Sequence, residues 1–276
     1  MGKPFPQRAR GAAGRLRRRL AGSGVAELEA ELRATRRKLR KTRAELRRTR
    51  ALLAPKLPAH VEQTIARARA EHLTYLKEHN LRELASIVIE LDRSGRDGLV
   101  IEAGTARGGS AIVLAAAKSA ARSMKVYDVF GMIPPPGERD GEDVHERYAK
   151  IAGGAARGVG GDTYYGYRGD LFAEVTDSFS RLGVPVDAHN VQLVRGLFED
   201  TIVLDEPVAF AHLDGDWYES TKTCLERIAP LLVPGGRIVL DDYGKWSGCR
   251  TAVDEYFAGR DGFRLEQRAK LHVIRA

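Results

Sequence analysis

Two short apolar runs that end in carboxylates constrain this chain more than any other feature: Ala211-His-Leu-Asp214-Gly-Asp216 and Arg237-Ile-Val-Leu-Asp241-Asp242. Each reads as a strand whose last residues are acids. In a parallel α/β sheet the helices cover both faces, so ligands meet the chain at the carboxyl ends of the strands. Acids gathered at one such edge repel each other unless a cation lies among them. An all-oxygen donor set suits a hard ion such as Mg²⁺. The plain alternative is a pair of strand ends capped by solvated aspartates.

A second constraint lies upstream, in Leu99-Val-Ile-Glu102-Ala-Gly104-Thr-Ala-Arg-Gly108-Gly109-Ser110 followed by the apolar stretch Ala111–Ala121. This pattern predicts a strand, a glycine turn and a helix, with the glycines letting the backbone approach a ligand at the free N–H groups of the helix start. The spacing is GxxxGG, not the GxGxxG of a dinucleotide site. An acid ahead of the first glycine points to S-adenosylmethionine, whose amino acid moiety needs a polar, partly anionic seat. The next strand, Met124–Asp128, ends in a carboxylate 24 positions after Gly104. That is the place at which an acid accepts both ribose hydroxyls.

The rest continues in β-α units. Leu171–Leu182 reads as a helix, Val191–Arg195 and Val208–Leu213 as strands, and Thr221–Leu232 as a helix stopped by Pro234-Gly235-Gly236. Arg237–Leu240 is a strand, Ala252–Ala258 a helix and Phe263–Ile274 a hairpin. The sum predicts an α/β, doubly wound, Rossmann-like sheet with a terminal antiparallel strand pair. Residues 131–170 break this rhythm with Pro134–Pro136, repeated glycines, His145, Tyr164, Tyr165 and Tyr167. They are expected to form a long irregular insertion, a lid or binding loop.

Ahead of the sheet lies a different composition. Residues 1–50 hold seventeen Lys and Arg against four Glu, a balance of +13 in a chain whose net charge is +8, so the remainder carries −5. Basicity therefore belongs to an arm, and the body is mildly acidic. Val25, Leu32, Leu39, Leu46 and Leu53 recur every seven residues, interleaved with Leu28, Thr35, Thr42 and Thr49, which predicts a coiled coil and a homo-oligomer. The arginines at 15 and 17–19 lack the Asn and Ala positions of a basic-zipper DNA reader. An anionic membrane or polymer is a better match for such an arm than sequence-specific nucleic acid. Pro55 and Pro58 mark a linker, and His60–Leu91 reads as one or two amphipathic helices. The expected division is a basic arm with coiled coil at 1–54, linker and helices at 55–98, and the methyltransferase domain at 99–276. No apolar run approaches membrane-spanning length, and no secretory h-region is present. Cys224 and Cys249 form no CxxC pair and read as packing residues in a reducing, cytoplasmic setting.

Taken together, these motifs resemble the macrocin O-methyltransferase family, metal-dependent enzymes that methylate sugar hydroxyls of natural products. The resemblance covers roughly 73–276. It rests on Leu73-Thr74, on the Glu102–Ser110 turn and on Gly196-x-Phe198-x-Asp200-Thr201. It rests above all on Asp214-Gly-Asp216-x-Tyr218 and on Asp241-Asp242-Tyr243 with Cys249-Arg250-x-Ala252-Val253. It implies that Asp214, Asp241 and Asp242 hold Mg²⁺, and that Asp128 meets the ribose. Glu102, Ser110 and Thr74 would line the methionine end beside Gly104 and Gly108, with Phe198 near the adenine. Asp214 or Asp216 would take the acceptor's proton. Ala106 stands where the family has a bulky Trp, and Trp217 where catechol-type relatives have a general-base Lys. The implied activity is methylation of a hydroxyl on a sugar or glycosylated product. The alternatives are a phenolic or polyketide hydroxyl, or an inactive scaffold acting through the basic zipper.

Overall fold

The computed structural model describes residues 28–42, 45 and 56–276, and its contacts divide the chain into Met1–Lys56 and Leu57–Ala276. In the first unit residues 28–42 form helix α1, on which Leu28, Leu32 and Leu39 are largely exposed and Arg33 pairs with Glu29 at 3.4 Å. Val25, Leu46, Thr49, Leu53 and the arginine cluster lie outside the described residues. Pairing of α1 with a second helix therefore stays an expectation. No helix among the described residues is long and apolar enough to cross a membrane.

The second unit is built on strands β1 (Leu99–Ala103), β2 (Met124–Asp128), β3 (Val191–Arg195), β4 (Val208–Leu213), β5 (Leu232–Leu240), β6 (Phe263–Gln267) and β7 (Leu271–Arg275). Their order is β3-β2-β1-β4-β5-β7-β6, parallel from β3 through β5, with β7 antiparallel to both β5 and β6. The expected doubly wound sheet with an antiparallel end is present. All five residues of β1 are buried, as a central strand covered on both faces requires.

Two apolar layers do the covering. Helices α2 (Ala59–Ala70), α3 (Glu78–Arg93), α4 (Gly109–Ala117) and α6 (Leu171–Arg181) pack one face, through Ile65, Leu84, Val88, Ile112 and Phe179 among others. On the other, α7 (Phe198–Thr201), α8 (Tyr218–Ile228) and α9 (Ser247–Phe257) bury Ile202, Leu225 and Val253 with Leu99, Ile101 and Ala211. Strand alternation explains the split: Val100 faces the first layer, Leu99 and Ile101 the second. The helices ahead of β1, set apart in the sequence, share the first layer, because α2 and α3 lay their apolar stripes on α4. Both cysteines are free and buried.

The 131–170 insertion departs from expectation. It is ordered around α5 (Glu142–Ala152) and two short 3₁₀ turns, Val159–Gly161 and Tyr165–Tyr167. Val144 and Ile151, seven apart on α5, bury against Ile133, Ala156, Tyr164 and Trp217. That helical period was masked by the flanking Pro and Gly runs. Likewise β5 runs straight through Pro234-Gly235-Gly236, which a register shift against β4 accommodates.

Candidate active site

The topological switch point lies between β1 and β4, whose ends touch directly. The Asp214 N–H donates to the Ala103 carbonyl at 2.8 Å, and a Cβ on Gly104 would stand 2.1 Å from the Asp214 carbonyl oxygen. Gly104, with φ of 87°, is therefore required by the neighbouring strand. Gly108, φ 83°, precedes α4 against Val175, while Gly109 lies under Leu73 and Thr74. The glycine turn is thus a packing solution that brings the start of α4, residues 73–74 and the Asp214 edge together.

Around this turn sit the residues expected at the methionine end. Thr74 is 9% exposed and its hydroxyl accepts the Leu76 N–H at 3.0 Å. Glu102 is fully buried: Ser110 donates its hydroxyl to Oε1, His212 Nδ1 lies 3.2 Å from the same oxygen, and Oε2 has no protein partner. Asp128 closes β2 with a buried carboxylate that accepts the N–H groups of Thr105 at 2.7 Å, Ala106 at 3.1 Å and Phe130 at 2.7 Å. Burial raises its pKa against these bonds. Its first service is to hold the turn, and free lone pairs remain on it. Phe198, at the start of α7, reaches the Gly215 turn.

At the carboxylate edge, Asp214, Asp216 and Asp242 each offer an oxygen within 4.8 Å of the others. Asp216 has φ of 57°, a left-handed conformation that Asp tolerates better than most residues. It accepts the Trp246 indole N–H at 2.7 Å, and Asp242 accepts the Asp216 N–H at 3.2 Å. Burial and the neighbouring Asp241 and Asp242 hold Asp214 well above the carboxylate range. For Asp216, burial and Asp242 push the pKa up to about 7, against Lys245 and Trp246. The Lys245 ammonium stands 3.5 Å from Asp242 and 3.9 Å from Asp216. Three carboxylates against one ammonium leave two negative charges when all are ionised.

Asp241, expected among the ligands, stands outside this trio. Just past the end of β5 it faces the opposite way from Asp242, where Lys270 donates to Oδ2 at 2.6 Å and His212 Nε2 lies 3.8 Å from Oδ1. The latter is an ion-pair distance, not a hydrogen bond. Burial works to raise Asp241, yet His212 and Lys270 hold it below the usual range. Burial likewise works to lower His212, but the carboxylates on both sides push it up to about 9. Asp216, not Asp241, completes the cluster.

The insertion borders this edge. Trp217 donates its indole N–H to the Pro134 carbonyl at 2.9 Å, and the buried Asp140 accepts the Tyr218 N–H at 2.9 Å where α8 begins. The Tyr164 and Tyr165 rings lie tilted to one another with centroids 4.3 Å apart, Tyr75 meets Tyr165 edge-on at 6.4 Å, and Asp162 joins Arg107 of the glycine turn to Arg168. His145 is exposed on α5. Sequence reasoning missed Lys245, Trp246, His212 and Lys270. Lys245 was findable, three residues past Asp242 across a Tyr-Gly turn; Lys270 is brought in only by β7.

Comparison with known proteins agrees with this geometry. A family model described as macrocin-O-methyltransferase matches residues 27–261. The chain is 31% identical over 219 residues to the 8-demethyl-8-(2,3-dimethoxy-alpha-L-rhamnosyl)-tetracenomycin-C 4'-O-methyltransferase of Streptomyces olivaceus, covering 76% of this chain and 73% of that one. It is 32% identical over 192 residues to the mycinamicin III 3''-O-methyltransferase of Micromonospora griseorubida, covering 66% and 69%. Among solved structures, the O-methyltransferase NovP superposes with a TM-score of 0.62 at 25% identity, over 74% of this chain and 82% of that one. With the family match spanning both the cofactor turn and the carboxylate edge, the chain belongs to the macrocin O-methyltransferase family and is an O-methyltransferase.

Proposed function

We propose that the enzyme transfers a methyl group from S-adenosylmethionine to a hydroxyl of a sugar or glycosylated natural product, with a divalent cation such as Mg²⁺ at the carboxylate edge. The observation that carries this reading is the juxtaposition of the glycine turn and the Asp214–Asp216–Asp242 cluster across one β1–β4 contact. Glu102, with an unpartnered buried oxygen, fits the ammonium of an amino acid moiety. Ser110, Thr74 and the start of α4 would complete that seat beside Gly104 and Gly108, with Asp128 toward the ribose and Phe198 toward the adenine. The cluster fits a hard dication in donor type and in charge, since Lys245 offsets only one of three carboxylates. Asp214, Asp216 and Asp242 would hold the ion, and the Asp242 Oδ1 atom, buried without a partner, is available to it. A bound dication supplies the Lewis acidity that lowers the pKa of an acceptor hydroxyl. Asp214 or Asp216, at the edge where the acceptor would lie, would take the hydroxyl proton. Tyr165 and Tyr167 of the insertion, with Trp246, are partly exposed and offer ring faces on which a sugar can lie.

The glycosyl acceptor rests on the relatives, whose names specify sugar positions. Residues 1–54 serve self-association through the leucine heptad, and the enzyme works in the cytoplasm. The test supplies methyl-labelled S-adenosylmethionine and Mg²⁺ with a panel of glycosides and a catechol. Label on a glycoside, stopped by EDTA and restored by Mg²⁺, is the expected result. Transfer to catechol alone favours the phenolic alternative, and absence of cofactor binding by calorimetry leaves a scaffold.

A further inference from the structure

The carboxylate edge and the glycine turn are joined by a buried polar row that the proposed reaction does not itself use. On the sheet face covered by α3, Glu102 of β1 lies in register with His212 of β4, and His212 with Val239 of β5. Beyond Val239 comes Asp241, two residues on and facing the same side, and Lys270 closes the row ahead of β7. Glu102 and His212 have no exposed side-chain surface, and Asp241 has 11%. His212 turns one ring nitrogen to each acid, Nδ1 to Glu102 at 3.2 Å and Nε2 toward Asp241 at 3.8 Å. Lys270 fixes Asp241 twice, through Oδ2 at 2.6 Å and the carbonyl at 2.9 Å. A carboxylate as deeply buried as Glu102 is strongly unfavourable unless its oxygens are bonded. Ser110 and His212 share Oε1, which leaves Oε2 alone unpartnered.

We infer that His212 is a positioning residue for the cofactor seat: facing Asp241 at ion-pair distance on its far side, it fixes the Glu102 carboxylate with one oxygen free for the ammonium of the methyl donor. This rests on the reading of Glu102 as that seat. A purely structural histidine would matter only through stability, whereas a positioning one matters through the nitrogen that faces Glu102.

The two amide replacements separate these roles. In His212→Asn the amide nitrogen takes the place of Nδ1 and keeps the donor to Glu102. In His212→Gln it takes the place of Nε2 and keeps only the Asp241 side. Calorimetry with S-adenosylhomocysteine on the full chain should show His212→Asn within about threefold of wild type. His212→Gln should be weakened about tenfold or more, the loss of one charge-assisted bond. Mn²⁺ affinity should stay near wild type in both, since neither touches the trio. Melting temperatures are recorded for each. Equal losses in both variants that follow the melting temperature, or full affinity in His212→Gln, overturn the inference. Should either variant fail to fold, Lys270→Met, which loosens Asp241 behind the ring, must weaken S-adenosylhomocysteine in the same way, and unchanged affinity there overturns it equally. A wild-type chain that binds no S-adenosylhomocysteine strikes the functional reading itself, not the role of His212.

Discussion

At the scale of single residues, Asp216 shows how folding spends stability on a site. Its carboxyl is raised from an ordinary 3.8 to about 7 by burial and by Asp242. A group whose pKa is higher folded than unfolded binds more protons in the folded state between those values. Its contribution is therefore complete below about pH 4 and is lost as pH rises through 7. Metal-free protein should accordingly lose stability over that window, and urea unfolding at pH 5 and pH 8 measures it. Asp216→Asn should flatten the difference relative to wild type, and saturating Mg²⁺ should flatten it too, by replacing protons with a dication. A wild type that gains stability relative to Asp216→Asn as pH rises would show that the trio carries its charges unopposed. The same parity of the strand that separates Asp241 from Asp242 was legible beforehand, since neighbours on a strand diverge. Which of the two stays at the edge was not, because His212 on β4 and Lys270 in the β6–β7 turn decide it.

At the scale of elements, the β1–β4 junction depends on the absence of one side chain. Gly104→Ala would force a Cβ to within 2.1 Å of the Asp214 carbonyl at a positive φ, so neither relaxation of a flexible neighbour nor a new rotamer relieves it. A loss of about 3–5 kcal/mol is expected from urea unfolding; a loss below about 1 kcal/mol would mean that the strand ends do not touch. Here sequence and structure part company instructively. The GxxxGG spacing located the turn, and β2 was found with its observed bounds, because alternation and the terminal acid agree there. The close approach that Gly104 permits was invisible, since its partner lies at the end of a strand 110 residues away whose placement beside β1 no local pattern states. The starts of α8 and α9 were read late for a related reason. Trp217 and Trp246 stand at their N-termini without a capping side chain, and tertiary contacts from Asp140, Pro134 and Asp216 replace the missing signal.

At the scale of the whole molecule, the chain combines an acidic-bodied catalytic unit with a basic arm. Leu28, Leu32 and Leu39 line α1 at a spacing suited to a helical partner and are exposed there. Removal of residues 1–54 should lower the mass measured by light scattering and leave turnover on a small acceptor nearly unchanged. Retention of the full mass would place self-association elsewhere. Function rests on the other unit, and within it on whether three carboxylates and one ammonium await a dication. Equilibrium titration with Mn²⁺, followed by its paramagnetic resonance in the wild type and in Asp242→Asn, tests this most directly. The account predicts one ion bound per wild-type chain and an affinity at least about tenfold weaker in the variant. A wild type that binds no ion, or a variant that binds as tightly, would contradict it.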